Sequence, residues 1–217
     1  MLPTWRAGEH MSIIGMTGSG KSQLMATLLP ATRKYYLVLK SKADSIKYPG
    51  TVTVRSASAI RGLVERQQSQ IVLRVPPPRM LQHHEFANAL QIVWNNGGWT
   101  IVIDELWYLD AKLDLGEAVD TLLTQGRDPG KISVCSGMQR PTQVTRFAIG
   151  ESTHVISFQL EGRDALILRD ATNARFAKVV ADLNVHYFAW LHKPTRSIWV
   201  GTIDLKSGKF MGRSVVD

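Results

Sequence analysis

The chain has 217 residues, of which 44% are hydrophobic, so it is long enough to bury a sizeable core and too apolar to be intrinsically disordered. Lysine and arginine number 26 against 18 aspartate and glutamate residues. The resulting net charge of +8 favours a polyanionic partner such as nucleic acid, although a generic basic surface would give the same balance.

The single cysteine, Cys135, excludes an internal disulfide and lies in an apolar run, which predicts a buried thiol. Apolar runs are too short to span a bilayer and the N-terminus lacks the apolar core of a signal peptide, so we expect a cytoplasmic protein.

Predicted strands and helices alternate along the chain. The strands cover residues 11–14, 35–40, 51–55, 70–75, 99–106, 132–136, 154–160, 186–192 and 197–203. The helices cover residues 23–29, 57–67, 80–95, 116–125, 141–149, 163–170 and 174–183, and Pro30 is expected to end the first helix. This alternation predicts an α/β fold with a mostly parallel central sheet flanked by helices on both faces. The last two strands would form a C-terminal β-hairpin, and no linker divides the chain, which predicts one domain over residues 1–217.

A complete phosphate-binding loop, G-x-x-x-x-G-K-[ST], follows the first predicted strand. Its members are Gly15, Met16, Thr17, Gly18, Ser19, Gly20, Lys21 and Ser22. The glycines let consecutive backbone N–H groups face the phosphates, and the helix that follows adds partial positive charge. Lys21 is expected to reach the β- and γ-phosphates, and the Ser22 hydroxyl is expected to hold Mg²⁺. The strand, loop and helix together predict binding of a nucleoside triphosphate such as ATP with Mg²⁺.

Two carboxylates, Asp104 and Glu105, follow the apolar run Thr100–Ile103. A parallel strand would present them at the carboxyl edge of the sheet, where ligands bind in α/β folds. We expect Asp104 to bind Mg²⁺ and Glu105 to polarise the water that attacks the γ-phosphate. Without the phosphate loop, the same two carboxylates could equally be interpreted as a polar turn at the end of a strand.

The next predicted strand runs into Gln139, beside the acidic strand. An amide in this position could contact the γ-phosphate or orient the attacking water. It would then report hydrolysis to the rest of the protein, because its hydrogen bond would exist only with triphosphate bound. The alternative reading is a glutamine that caps a helix or lies in a turn.

The order of these motifs resembles the FtsK/HerA superfamily of DNA-pumping ATPases over about His10 to Asp170. The residues that carry the resemblance are the phosphate loop, the apolar run ending in Asp104-Glu105, Gln139-Arg140-Pro141, Val144-Thr145-Arg146, Thr153–Phe158 and Arg163-Asp164. The resemblance implies a RecA-like P-loop ATPase of the additional-strand, catalytic-glutamate type. In length and in its C-terminal hairpin, the chain is most similar to the compact genome-packaging ATPases of membrane-containing viruses. It departs from the chromosome-segregating type in lacking a transmembrane anchor and an appended DNA-reading domain.

The same resemblance implies a homo-oligomeric ring, a hexamer or pentamer, that moves double-stranded DNA through a central pore. Capsid or portal vertex proteins are implied as further partners, with the host cytoplasm and the virion as locations. Ring motors of this kind use an arginine from the neighbouring subunit, and Arg127 matches that position, with Arg163 and Arg140 as reserves. A surface arginine in a loop is the competing interpretation. Candidate DNA contacts are Lys40-Ser41-Lys42, Lys47, Arg79 and Lys112, each equally explained by a solvated surface.

The leading hypothesis is therefore an ATP-hydrolysing nucleic-acid translocase, a subunit of a viral double-stranded DNA packaging motor. A related DNA-export or conjugation-type ATPase would share these motifs. A small P-loop phosphotransferase, such as a nucleotide or metabolite kinase, would also use a phosphate loop but would close an arginine-rich lid over two substrates. A third class is a nucleotide-gated assembly protein with little turnover. Lys21, Glu105 and Gln139 together argue against this class.

Overall fold

The computed structural model of the protein describes residues 3–41, 46–143, 146–204 and 209–215. Within these residues, ten strands form one sheet in the order β10-β9-β8-β7-β1-β6-β5-β2-β4-β3. The strands are β1 (Met11–Ile14), β2 (Tyr36–Leu39), β3 (Val52–Val54), β4 (Gln70–Leu73), β5 (Thr100–Ile103), β6 (Ser133–Met138), β7 (His154–Phe158), β8 (Phe188–His192), β9 (Ser197–Asp204) and β10 (Lys209–Val215). Strands β1 to β7 run parallel, and β8, β9 and β10 continue the sheet antiparallel.

Helices cover both faces of this sheet. They are α1 (Lys21–Thr32), α2 (Ala57–Glu65), α3 (Arg79–Asn96), α4 (Gly116–Gln125), α5 (Arg146–Glu151), α6 (Gly162–Ala171) and α7 (Ala174–Ala181). Alternate residues of each strand enter different cores, as the period of two in a strand requires. Val38 packs on the face covered by α1, whereas Leu37 and Leu39 pack on the face covered by the other helices. The predicted α/β class and mostly parallel sheet are confirmed.

The order of three neighbouring strands positions the candidate site. Strand β6 lies between β1 and β5 and pairs parallel with both. It is the additional strand that separates the phosphate-loop strand from the acidic strand. All three strands therefore end at one edge of the sheet, called here the carboxyl edge, and their N-terminal ends lie at the opposite, amino edge.

The structure differs most clearly from the predicted elements in four places. Helix α1 continues past Pro30 to Thr32, because a proline in the last turn removes only one donor while Leu28 and Leu29 remain buried. Strand β5 ends at Ile103 rather than at residue 106, because the Tyr108 N–H donates to the Glu105 carbonyl and turns the chain into a π-helical segment, Tyr108–Lys112. The helix predicted over 141–149 is instead a 3₁₀ turn, Pro141–Gln143, followed by α5, and Val144 and Thr145 lie outside the described residues.

The fourth difference lies at the C-terminal hairpin. Strands β8 and β9 pair antiparallel as predicted, but β10 adds an unpredicted third strand. Gly212 of β10 faces Gly201 of β9, and a Cβ atom on Gly212 would come within 2.6 Å of the Trp199 ring. The two glycines therefore leave room for an indole that any larger side chain would displace. The described helices fall short of the length and hydropathy that a bilayer crossing requires.

His10 is a buried titratable group at the amino edge of the sheet. Its Nδ1 accepts a hydrogen bond from the Val134 N–H at 3.0 Å, and its side chain is fully buried. Burial, together with the nearby Arg127 guanidinium, lowers the pKa of His10 from 6.5 to about 4. The folded protein therefore keeps this imidazole neutral, whereas the unfolded chain protonates it below pH 6.5.

We predict that His10 makes the protein less stable in acid. The unfolded state binds the extra proton between pH 6.5 and about 4, so the stabilisation is complete above 6.5 and is lost as the pH falls through this window. The loss should be on the order of 3 kcal/mol. In His10→Asn, an amide oxygen can accept from Val134 without titrating, so urea unfolding at several pH values should show a flatter profile. His84→Asn, which removes an exposed imidazole, should keep the wild-type profile. Equal pH profiles for wild type and His10→Asn would contradict this account.

Candidate nucleotide site

The phosphate loop connects β1 to α1 at the carboxyl edge. The Gly15 N–H donates to the Met138 carbonyl at 3.1 Å, which fastens the start of the loop to the end of β6. Gly20 has φ of 107° at the N-terminus of α1, a left-handed conformation that only glycine adopts without strain. No acidic residue occupies the first turn of α1, so its free N–H groups present positive charge to the loop.

Lys21 lies against the loop that precedes it. Its Nζ donates to the carbonyl oxygens of Gly15 and Met16, and the side chain is 9% exposed. The ammonium is therefore held on the loop by backbone carbonyls. This is the position from which a lysine can reach the β- and γ-phosphates of a nucleotide.

Ser22 and Asp104 meet across the space between α1 and β5. The Ser22 hydroxyl donates to Asp104 Oδ1 at 3.0 Å, and the carboxylate is buried. Asp104 Oδ2 is also buried, and no described residue donates a hydrogen bond to it. A buried carboxylate oxygen without a donor fits a cation, and hydroxyl and carboxylate oxygens are the ligands that Mg²⁺ prefers. The pair predicted as magnesium ligands thus has the chemistry to hold that ion.

Two successive side-chain hydrogen bonds connect the phosphate loop to Glu105. Thr17 Oγ1 donates to Gln139 Oε1 at 3.2 Å, and Gln139 Nε2 donates to Glu105 Oε2 at 2.7 Å. Glu105 is buried, with 3% of its surface exposed, and Gln139 is partly exposed. The amide therefore uses both of its ends, one on the loop and one on the carboxylate. The turn that follows β5 brings Glu105 to the same edge as Lys21, although sequence analysis gave Thr17 no role as the partner of Gln139.

Gly137 is a site residue that the sequence analysis missed. A Cβ at this position would lie 2.5 Å from the Asp104 carbonyl oxygen and 2.7 Å from Met25 Cε. Because no side chain fits, β5 and α1 can approach β6 closely at the point where the magnesium ligands meet. The available signal was a glycine directly after the predicted strand 132–136, where a close approach of neighbouring backbone needs no side chain.

An apolar cavity of about 520 Å³ adjoins the phosphate loop. Its walls come from the loop, from the end of β7 and from the C-terminal strands: Gly18, Ser19, Gly20, Gln23, Phe158, Val185, His186, Tyr187, Phe188, Thr202 and Ile203. Val185 is 73% exposed and Tyr187 is 42% exposed, which is unusual for large apolar side chains beside a cavity. Trp5 lies away from this cavity, buried at the amino edge with the Arg33 guanidinium 3.7 Å from its ring centroid.

The candidate arginines lie at two different edges. Arg127 is at the amino edge, where its Nη2 is 3.4 Å from both the Glu151 carbonyl and Thr153 Oγ1, just before β7. It is therefore remote from the phosphate loop of its own chain. Arg140 and Arg163 lie at the carboxyl edge and line a cavity of about 660 Å³ together with Met16 of the loop.

A second cluster with metal-ligand chemistry joins Glu9, His154 and His192. Trp190 Nε1, which can only donate, bonds to His154 Nδ1 at 3.1 Å, so the proton of His154 is on Nε2 and points at Glu9 Oε2, 2.9 Å away. Burial lowers the pKa of His154, which keeps the ring neutral. Burial of Glu9 works to raise its pKa, but hydrogen bonds from the Arg6 N–H and His154 outweigh it and hold the pKa below its usual value. Since Nε2 already carries a proton, the cluster is arranged as a hydrogen-bond network rather than as a ligand set.

No family model matches the chain, and no curated protein matches it in sequence. Solved structures do match. The genome packaging NTPase B204 from Sulfolobus turreted icosahedral virus 2, in complex with ATP-gammaS, superposes with a TM-score of 0.72 at 16% identity, over 90% of this chain and 98% of that one. The DNA-packaging ATPase B204 from Sulfolobus turreted icosahedral virus gives 0.69 at 18% identity, over 92% and 100%.

The monomer form of the pCW3 conjugation coupling protein TcpA, with ATPgS, gives a TM-score of 0.51 at 17% identity. This match covers 84% of this chain and 57% of that one. At these identities the likeness establishes the architecture. The chain has the fold that these solved structures share.

Proposed function

We propose that this chain is an ATP-hydrolysing nucleic-acid translocase, a subunit of a motor that packages double-stranded DNA into a viral particle. The observation that carries the proposal is the 2.7 Å hydrogen bond between Gln139 and Glu105, which follow the ends of two neighbouring strands beside a complete phosphate loop. A buried carboxylate oriented by an amide at this position suits activation of water.

The residues divide the chemistry between them. The loop N–H groups and Lys21 would bind the β- and γ-phosphates, and Ser22 and Asp104 would hold Mg²⁺. When bound, Mg²⁺ would neutralise charge on the phosphate oxygens. Glu105 would accept a proton from the attacking water. Gln139, which contacts both Glu105 and Thr17, would sense the γ-phosphate through the loop.

The apolar cavity beside the loop would take the nucleoside. It is continuous with the phosphate-binding residues, and the described residues that line it carry no carboxylate and no Lys or Arg. Such walls recognise a base by stacking and shape. Tyr187 is the exposed aromatic residue in this wall.

The proposed partners are double-stranded DNA and further copies of this chain in a hexameric or pentameric ring. The net charge of +8 supports a polyanionic partner, and the fold shared with B204 supports packaging over conjugation because nearly the whole of that smaller protein is matched. Such a motor would work in the host cytoplasm and at the virion, where capsid or portal vertex proteins would contact it.

Glu105→Gln should bind ATP with wild-type affinity and hydrolyse it at least about 100-fold more slowly, because the amide keeps the hydrogen-bonding shape but cannot accept a proton. Phosphate release, measured with and without duplex DNA at a concentration where assembly is verified by light scattering, tests this expectation. Glu117→Gln, on the exposed face of α4, is the matched control and should hydrolyse normally. A phosphorylated small molecule as product, in place of inorganic phosphate, would instead identify a kinase.

Arg127 should act on the nucleotide of a neighbouring subunit. Lys21→Ala should abolish nucleotide binding, and Arg127→Ala should bind nucleotide but fail to hydrolyse it when assembled. Mixing the two inactive variants should restore activity, because an interface can then pair an intact loop from one subunit with an intact arginine from the other. Random mixing in equal amounts gives such an interface about a quarter of the time. Normal turnover by Arg127→Ala alone, or no recovery in assembled mixtures, would reject the assignment, and the same experiment on Arg140→Ala and Arg163→Ala would then test the reserves.

Tyr187→Ala should weaken ATP binding by about 5- to 150-fold, the range that corresponds to loss of one aromatic–base stack. Inorganic tripolyphosphate has no base, so its binding should be unchanged in this variant. Calorimetric titration of both ligands separates the two contributions. Equal losses for ATP and tripolyphosphate would mean that Tyr187 supports the loop rather than the base.

A further inference from the structure

A concentration of cations lies at the carboxyl edge, away from the nucleotide site. Two adjoining cavities of about 510 and 440 Å³ share Lys40 and Arg74 in their walls. Arg55 and Arg79 line the first cavity, and Lys47 lines the second. These five residues define what we call the basic cleft.

Backbone hydrogen bonds between neighbouring strands hold three of these cationic residues side by side. Lys40, Arg55 and Arg74 directly follow the ends of β2, β3 and β4. The Lys40 N–H donates to the Leu73 carbonyl at 3.0 Å, and the Arg74 N–H donates to the Val54 carbonyl at 2.9 Å. Since neighbouring strands are about 5 Å apart, the sheet itself places these side chains in one row.

The fourth cation lies at the N-terminus of helix α3. Arg79 is its first residue, after a run of prolines that includes Pro76 and Pro77 in the cleft wall. The N-terminal turn of α3 has no side-chain cap and no acidic residue, so its N–H groups add to the positive potential that the arginines create.

No described residue that lines either cavity is acidic. Glu85, in the second turn of α3, already accepts a hydrogen bond from the Ala57 N–H at the start of α2. Arg55, Arg79 and Lys47 are exposed, so a polyanion bound in the cleft would meet three cations at the surface.

The cleft also has a direct physical connection to the nucleotide site. Tyr108 lines the first cavity, and its hydroxyl donates to Gln82 Oε1 at 2.7 Å. The Tyr108 N–H donates to the Glu105 carbonyl at 3.2 Å. A shift of the turn after β5 would therefore move the cleft wall together with the carboxylate proposed to activate water.

We propose that the basic cleft binds the phosphate backbone of double-stranded DNA, with the exposed Arg55 and Arg79 as its principal arginine contacts. The inference rests on the proposed function and deepens it, because it assigns the surface that holds the DNA. Arginine suits this task, since its planar fork can donate two hydrogen bonds to one phosphate. Of the DNA contacts expected from sequence, Lys40, Lys47 and Arg79 lie in the cleft, whereas Lys42 lies outside the described residues.

The test is binding of a fluorescein-labelled 30-base-pair duplex by the full chain, followed by anisotropy from about 50 to 200 mM salt. Arg55→Ala/Arg79→Ala should bind at least about tenfold more weakly at the lower salt, and the slope of log affinity against log salt should fall by about 2, or about 1 for each lost phosphate contact. Arg55→Lys/Arg79→Lys keeps both charges and should retain most of the slope. Lys178→Ala/Arg213→Ala removes the same two charges from exposed positions on α7 and β10 and should bind as wild type does.

The outcomes separate the cleft from the function on which it rests. If wild type binds duplex DNA and Arg55→Ala/Arg79→Ala binds it equally well, the cleft assignment is overturned while the translocase proposal stands. An equal loss in Lys178→Ala/Arg213→Ala would show a net-charge effect and would also overturn it. Failure of wild type to bind duplex DNA would reject both proposals. ATP hydrolysis without DNA should be unchanged in every variant, which confirms folding, and single-stranded DNA and RNA competitors test the preference for duplex.

Discussion

The insertion of β6 between β1 and β5 is the constraint on which the site depends. Three parallel strands in register bring the start of the phosphate loop, Gln139 and the Asp104-Glu105 pair to one edge. Without that order, the amide could not reach the loop and the carboxylate together. Gly137 makes the arrangement compact, because the absence of a side chain lets β5 and α1 approach the end of β6. The candidate site is therefore a property of strand order as much as of the loop sequence.

Much of this could be predicted from the sequence, because each motif is local. A parallel strand always delivers the residues after it to the carboxyl edge, so Lys21, Asp104 and Gln139 could be assigned to one edge before their neighbours were known. The apolar cavity could not be predicted, since Phe158, Val185–Phe188 and Thr202–Ile203 are distant in sequence and meet only through pairing of β7, β8 and β9. Tertiary contacts also decided the ends of α1 and β5, which local propensity placed wrongly. Strand β10 has a weak pattern of its own and is explained by Gly201 and Gly212 beneath Trp199.

The two edges of the sheet have different chemistry. The carboxyl edge has the loop, the acidic pair and the basic cleft, whereas the amino edge has Arg127 and the buried His10. The same guanidinium that is proposed to act in a neighbouring subunit contributes to the low pKa of His10. A cation at an interface would thus be linked to the protonation of a residue in the core.

The contact between Lys21 and the carbonyls of Gly15 and Met16 has a consequence for ligand entry. An arriving triphosphate competes with these two carbonyl oxygens for the ammonium group. Displacing them offsets part of the electrostatic attraction between the triphosphate and Lys21. In return, the loop is kept open in a shape that needs little reorganisation. Replacing the lysine with a short side chain does more than delete a charge, because it leaves two electronegative atoms facing the incoming anion with nothing to screen them.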